Sequence, residues 1–279
     1  AERWRRGFLE AVEADVPETN LRSGEIVEYR GRQVQVMTMP LGYSQRAIAR
    51  PAAELAPEIA RWAENHPLIV TYGRSDPIKG AQRAVCAFSL ARTSGSGAEL
   101  SRLLVRVSPN HLNVSANARY MESLQREIAR TNEAAREEVV RLVVESSSTA
   151  TLAAYRRADV LLVPSAVDGQ NLAAFEGVMV NRRHAPLILS DHCGASELLA
   201  QGAITINPFD IVEIAGAIVR ALTEERGHRE VRAAQCRQLA APYTVERWID
   251  AQLVALGLER HTDRLVHSMD ASKPKSYSQ

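Results

Sequence analysis

The 279-residue sequence predicts an α/β protein built on a doubly wound parallel sheet. Three observations lead there. From Leu68 onward short apolar runs alternate with helical patterns, and strands separated by helices pair in parallel. The hydrophobic share is 46%, carried by Leu, Ile, Val and Ala with only 5% aromatics, which is the palette of an α/β core. The polar turn Val167-Asp168-Gly169-Gln170-Asn171-Leu172, with Glu176 beyond it, joins the apolar run 160–163 to a helical pattern. An open α/β sheet places its ligand at such a turn.

Taken in order, residues 1–14 read as a helix with Trp4, Phe8, Leu9 and Val12 on one face. Residues 25–29 and 34–39 alternate, and Arg30-Gly31 between them predicts a hairpin that ends at Pro40-Leu41-Gly42. The stretch 44–66 reads as a short helix, a break at Pro57 and a second helix, with a domain boundary near residue 45. Strands are then expected at 68–72, 103–107, 141–145, 159–163, 186–190 and 203–206. The helices between and after them are expected at 81–91, 114–139, 148–157, 172–182, 194–201, 210–226, 228–240 and 244–256. Residues 258–279 are polar and expected to be disordered.

The formal charge of +1 comes from balanced acids and bases, so no global field draws the protein to nucleic acid or to a membrane. No run reaches the roughly 20 apolar residues of a membrane span. Cys86, Cys193 and Cys236 are far apart and lack metal-ligand spacing, which fits free thiols in a reducing cytoplasm and predicts no metal. Residues 2–6 are already amphipathic helix without a signal-peptide core, and a fragment of something longer is expected.

Neither of the two commonest phosphate fingerprints, G-x-G-x-x-G and the Walker loop, follows the first parallel strand. Gly73-Arg74 stands there instead, with Lys79 five residues on. A glycine turn, a guanidinium fork and a point charge suit a diphosphate. Read alone, the two cations are equally a solvated surface loop. The Asp168 turn offers free N–H groups and a positive helix end to the same anion. Its plain alternative is a strand–helix loop in which Asp168 or Asn171 caps the helix. Both loops follow parallel strands and so share one sheet edge, together with 108–111 and 191–197. That convergence favours a nucleotide-diphosphate site.

The series Gly73-Arg74-x4-Lys79-Gly80, Arg157-Ala158-Asp159-Val160, Asp168-Gly169-Gln170-Asn171-Leu172-x3-Glu176, Gly194-Ala195-Ser196-Glu197 and Asn207-Pro208-Phe209-Asp210 resembles the trehalose-6-phosphate synthase family. Those are retaining transferases of glycosyltransferase family 20, with two Rossmann-like domains in the GT-B arrangement. The similarity runs in order from about residue 34 to 256. By resemblance, Arg74 and Lys79 hold the donor diphosphate, and Asp168, Gln170, Asn171 and Leu172 meet the donor sugar and phosphates. Glu176 takes the ribose hydroxyls, and Asn110 matches the loop near the base loosely. Arg74, Lys79, Asp168 and Gln170 are thereby the expected catalytic group. Residues 1–45 correspond to the end of the acceptor domain, otherwise missing, and 46–257 to the donor-binding domain with its C-terminal helices.

Two departures sit at the donor. The family's Asp-Gly-Met-Asn-Leu has Gln170 in place of Met, and its Arg-Leu-Asp-Tyr-x-Lys-Gly has become Arg-Ser-Asp-Pro-Ile-Lys-Gly. In these the sequence is most similar to the branch of pseudo-glycosyltransferases that make validoxylamine A 7'-phosphate in aminocyclitol antibiotic pathways. That resemblance implies GDP-valienol as donor and validamine 7-phosphate as acceptor, joined through nitrogen with retention, and no cofactor. The alternatives are a trehalose-6-phosphate synthase using UDP- or GDP-glucose with glucose 6-phosphate, or a non-catalytic, nucleotide-binding regulatory relative. The base, the acceptor and the oligomeric state, a homodimer included, are left open by the residues alone.

Overall fold

The computed structural model describes residues 1–22, 24–49, 54–110 and 115–258. The chain opens on helix α1 (Glu2–Asp15), which buries Leu9. A three-stranded antiparallel sheet follows: β1 (Thr19–Arg22), β2 (Ile26–Tyr29) and β3 (Arg32–Gln35). The two-residue turn Arg30-Gly31 has positive φ at both positions, 49° and 74°, as a twisted hairpin requires. The expected hairpin is therefore present, with two corrections. It gains β1, whose Thr-Asn-Leu-Arg sequence carries no apolar alternation, and β3 spans 32–35 rather than 34–39.

Helices α2 (Gln45–Ala49) and α3 (Pro57–Trp62) come next. Pro57 does not break a helix; it opens α3, where the missing N–H is free of cost. The segment between β3 and α2 is stapled to the far end of the chain. Tyr43 N–H donates to the Tyr243 carbonyl at 3.0 Å, and Val245 N–H donates to that of Tyr43 at 3.0 Å. A Cβ on Gly42 would lie 2.1 Å from the Thr244 carbonyl carbon, so only glycine permits this approach.

The strand–helix rhythm then runs β4 (Leu68–Arg74), α4 (Ala81–Thr93), β5 (Arg102–Ser108), α5 (Ser115–Ala135), β6 (Val140–Val144), α6 (Ser148–Arg157) and β7 (Val160–Val163). It continues through α7 (Leu172–Val180), β8 (Leu187–Ser190), α8 (Ser196–Leu199) and β9 (Ile204–Ile206). Helices α9 (Ile211–Thr223), α10 (Arg226–Ala240) and α11 (Val245–Ala255) close the described chain. Helix α5 ends four residues short of the expected 139. Arg136 adopts a left-handed φ of 56°, and the Asn132 side-chain carbonyl takes the N–H groups of Val139 and Val140. The tail expected to be disordered lies, from residue 259, outside the described residues.

The six parallel strands are ordered β6-β5-β4-β7-β8-β9, so the chain reverses direction between β4 and β7. This is the doubly wound sheet that the sequence predicts. Ile69 of β4 packs with α4, α5 and α9 on one face; Leu68 and Val70 pack with α3, α6, α7 and α10 on the other. All three are fully buried, and both faces of the strand therefore stabilise, by about 1.5–3 kcal/mol per side chain. Among the described residues no helix is long and apolar enough to cross a membrane.

Candidate functional site

The reversal between β4 and β7 opens a cleft of about 510 Å³ at the carboxyl ends of the two strands. Tyr72, Gly73, Arg74 and Lys79 line it from one side, Asp168 through Ala173 and Glu176 from the other, and Leu41 closes over it. Seven of the eight residues singled out in the sequence meet here; Asn110 does not. Its backbone is tied to the adjacent loop, Asn110 N–H donating to Ser75 Oγ at 2.8 Å, without lining the cleft. His111 lies outside the described residues.

The cationic side is shaped by two glycines. A Cβ on Gly73 would approach Lys79 Cβ to 2.6 Å, so its absence lets the lysine fold back across the strand end. Gly80 takes φ of 76° and caps α4 in a position where a Cβ would meet the Pro164 carbonyl at 2.2 Å. Lys79 Nζ then donates to Asp168 Oδ2, and Arg74 Nε donates to Asp76 Oδ2 at 3.0 Å. The Lys79 side chain is mostly buried, whereas that of Arg74 is 56% exposed.

The opposite side is the N-terminus of α7. Asn171, with a left-handed φ of 69°, is its N-cap: Oδ1 accepts from Ala174 N–H at 3.2 Å. Its Nδ2 donates to Asp168 Oδ2 at 2.9 Å and to Ser165 Oγ at 3.2 Å. Asn171 thus spends its amide on the scaffold, and what it presents to the cleft is the first turn of α7. Asp168 is not a cap; it joins Lys79 to Asn171 across the cleft floor. Gln170 lines the cleft with Nε2 buried and without an acceptor among the described residues. Burial raises the Glu176 carboxyl above its ordinary value.

A third loop, 191–196, is laced to this turn. Gly194 N–H donates to the Asp168 carbonyl at 3.0 Å and Ala195 N–H to that of Gln170 at 2.8 Å. A Cβ on Gly194 would collide with the Gly169 carbonyl oxygen at 2.0 Å, so glycine is needed for the backbones to touch. Cys193 is buried behind them, its thiol pushed up to about 12 by burial and then by the Asp168 charge, which removes it as a nucleophile at neutral pH. Among the described residues no group of three or more His, Cys, Asp or Glu is arranged to hold a metal.

Sequence reasoning missed what α1 contributes. Arg3 Nε and the N–H groups of Glu2 and Arg3 all converge on the Glu197 carboxylate at 2.6–3.1 Å. Trp4 Nε1 donates to the Asp168 carbonyl at 3.3 Å. Nothing local in the sequence marks these pairs, which join residues more than 160 positions apart. The cleft thus holds two cations, a helix N-terminus, one amide without an acceptor among the described residues and a half-buried carboxyl, and is backed by loop 191–196 and α1. Cations and helix N–H groups suit phosphate oxygens, and a carboxylate suits hydroxyls.

The chain matches the sequence profile of glycosyltransferase family 20 over residues 1–257. It is 44% identical over 260 residues to validamine 7-phosphate valienyltransferase of Streptomyces hygroscopicus subsp. jinggangensis, covering 93% of this chain and 52% of that protein. It is 28% identical over 256 residues to the UDP-forming α,α-trehalose-phosphate synthase of Schizosaccharomyces pombe, covering 88% and 49%. Among solved structures, the UDP-forming trehalose-phosphate synthase of Burkholderia xenovorans superposes with a TM-score of 0.84 at 24% identity, covering 91% of this chain and 59% of that one. The Escherichia coli trehalose-6-phosphate synthase bound to UDP-2-fluoroglucose gives 0.83 at 24%, covering 92% and 59%. The chain spans about half the length of the curated relatives that it matches.

Proposed function

This chain belongs to glycosyltransferase family 20, and from that premise we propose that it is the nucleotide-donor half of a retaining pseudo-glycosyltransferase. The donor is GDP-valienol, the acceptor is validamine 7-phosphate, and the products are validoxylamine A 7'-phosphate and GDP. Residues 1–45 end the acceptor domain, and 46–257 form the donor domain. The observation that carries this reading is the identity gap: 44% to a valienyltransferase against 28% to a trehalose-phosphate synthase over nearly the same span. The unpartnered Gln170 amide in the cleft supports it, since the thioether of a Met there would offer a ligand almost no hydrogen bond.

The chemistry follows from the cleft. The bond between the cyclitol carbon and the diphosphate oxygen breaks, and its electron pair goes to the diphosphate. Arg74, Lys79 and the first turn of α7 stabilise the charge that builds there. The acceptor amine attacks the same face from which the diphosphate leaves, so no protein nucleophile is needed and configuration is retained. An unsaturated cyclitol spreads the developing positive charge over its allylic system, as a sugar does over its ring oxygen. Glu176 accepts hydrogen bonds from the ribose hydroxyls.

Calorimetric titration of the chain with GDP, UDP and ADP tests the donor assignment, with GDP expected to bind tightest. Equal indifference to all three would sink it. A preference for UDP would favour the second reading, a trehalose-6-phosphate synthase, which the 28% identity to such an enzyme also supports.

A further inference from the structure

Four arginines converge on one cavity at the opposite edge of the sheet, where α6 and α7 end. Arg156 and Arg157 finish α6, Arg182 and Arg183 follow α7, and with Glu54 and an apolar wall that includes Leu55 they line about 370 Å³. The cavity shares no residue with the nucleotide cleft. Helix α7 therefore carries the cleft at its N-terminus and this cavity beyond its C-terminus.

Two of the four arginines, Arg157 and Arg183, are held by their neighbours, and Arg182 is exposed. Asn181 Nδ2 donates to the carbonyls of Tyr155 at 2.7 Å and Ala158 at 2.8 Å, and its Oδ1 accepts from Arg183 N–H at 3.0 Å and Ala185 N–H at 2.9 Å. The end of α6 and the turn after α7 are thus one unit. Asp159 Oδ2 accepts from Arg157 Nη1 at 3.0 Å and Oδ1 from Arg183 Nε at 2.7 Å, which orients two of the guanidinium groups. Arg156 and Arg182 have no carboxylate within 4.0 Å among the described residues, and Arg156 Nε is buried without an acceptor. Burial, and then the like charge of Arg182, lowers the pKa of Arg156.

Cations at a helix C-terminus gain only modestly from its dipole. That gain does not account for four guanidinium groups around one cavity with an Nε desolvated. Four guanidinium groups and one carboxylate, Glu54, line the cavity, with Asp159 and Arg229 beside it, so the local charge is positive and suits an anion such as phosphate. Guanidinium forks pair bidentately with phosphate oxygens, and the apolar wall can cover an organic body.

We propose that this cavity is a second anion site, taking a phosphate dianion between Arg156 and Arg182, either free or as the monoester of a small molecule. The inference stands apart from the donor assignment. The test is amide NMR of the 279-residue chain titrated with inorganic phosphate or with glucose 6-phosphate, at ionic strength matched with chloride. Saturable shifts are expected at residues 154–158 and 181–185, weakened at least about tenfold in an Arg156→Gln/Arg182→Gln variant and kept in Lys79→Met. Equal affinity for the two probes identifies a free-phosphate site, and tighter binding of glucose 6-phosphate identifies a monoester site. The proposal is overturned by non-saturable shifts, or by binding that the arginine variant keeps and Lys79→Met abolishes.

Discussion

Lys79 Nζ lies 2.5 Å from Asp168 Oδ2, a contact across the β4–β7 reversal that joins loops 89 residues apart. Both side chains are less than one-fifth exposed, so the pair is desolvated as well as close. The aspartate holds the ammonium at the cleft while also setting a negative charge beside the place where a diphosphate would sit. Those two effects have opposite signs for anion binding, and substitution separates them.

Replacing Lys79 with Met removes a charge-assisted donor and is expected to weaken GDP binding about ten- to a hundredfold. Asp168→Asn keeps the shape and removes the opposing charge, so GDP affinity should stay equal or rise. Calorimetry on both variants decides. If Asp168→Asn weakens binding as much as Lys79→Met, the carboxylate acts as scaffold for the loop and its charge is secondary.

Most of the sheet was legible because strands buried on both faces read as continuous apolar runs, as Leu68-Ile69-Val70 and Val160–Val163 do. The same rule hid Arg106, which stands in such a run yet is 2% exposed. Its guanidinium is satisfied by Thr151 Oγ1 and Glu145 Oε2, partners 45 and 39 residues away. The strand β1 was invisible because a half-exposed Thr-Asn-Leu-Arg has no pattern to detect. At the cleft, the loops were readable from glycine and charge spacing. The Lys79–Asp168 pair was not, since it depends on β4 and β7 being neighbours, and strand order is not written in any local window. Leu41 and Trp4 escaped for the same reason.

Gly73→Ala tests whether Lys79 needs its present path. The added Cβ would meet Lys79 Cβ at 2.6 Å and Cγ at 2.9 Å, both in a flexible side chain rather than in backbone. Gly73 does not have a left-handed φ, so alanine is not strained there. The lysine should move instead of the strand. Expected are GDP affinity reduced about tenfold and a loss of stability of no more than about 1 kcal/mol, read by calorimetry and denaturant titration. A large stability loss with unchanged GDP affinity would show that the strand yields and the lysine does not.

Glu176 predicts a pH signature. Its folded pKa is raised above the ordinary 4.5 by burial, so the folded state binds this proton more readily than the unfolded chain does. The cost of its buried charge is therefore absent below the unfolded value. It sets in as pH rises through the window up to the folded value and persists above it. Glu176→Gln should raise stability at neutral pH and remove that fall with rising pH. Donor affinity should move the other way: falling in wild type as pH drops through the raised value, because a protonated carboxyl is a poorer acceptor for ribose hydroxyls. Stability curves of wild type and Glu176→Gln that stay parallel from pH 4 to 8 would contradict the assignment.

Gln170→Met connects the structural observation to the choice of donor. Gln170 is half-buried, and its Nε2 is buried with no acceptor among the described residues, a state that costs up to about 1–3 kcal/mol. A thioether of similar length removes the cost, so the free chain should gain about 1 kcal/mol of stability. If the amide is kept because a donor group accepts from it, the same substitution in the assembled enzyme should lower kcat/KM for the cyclitol donor. The loss would be about tenfold or more, with less effect on a glucose donor. Two readouts then separate the possibilities. A variant that gains stability and loses the cyclitol preference places Gln170 in donor recognition. One that gains stability with the donor preference unchanged makes the amide a tolerated flaw of packing, and removes the residue from the specificity argument.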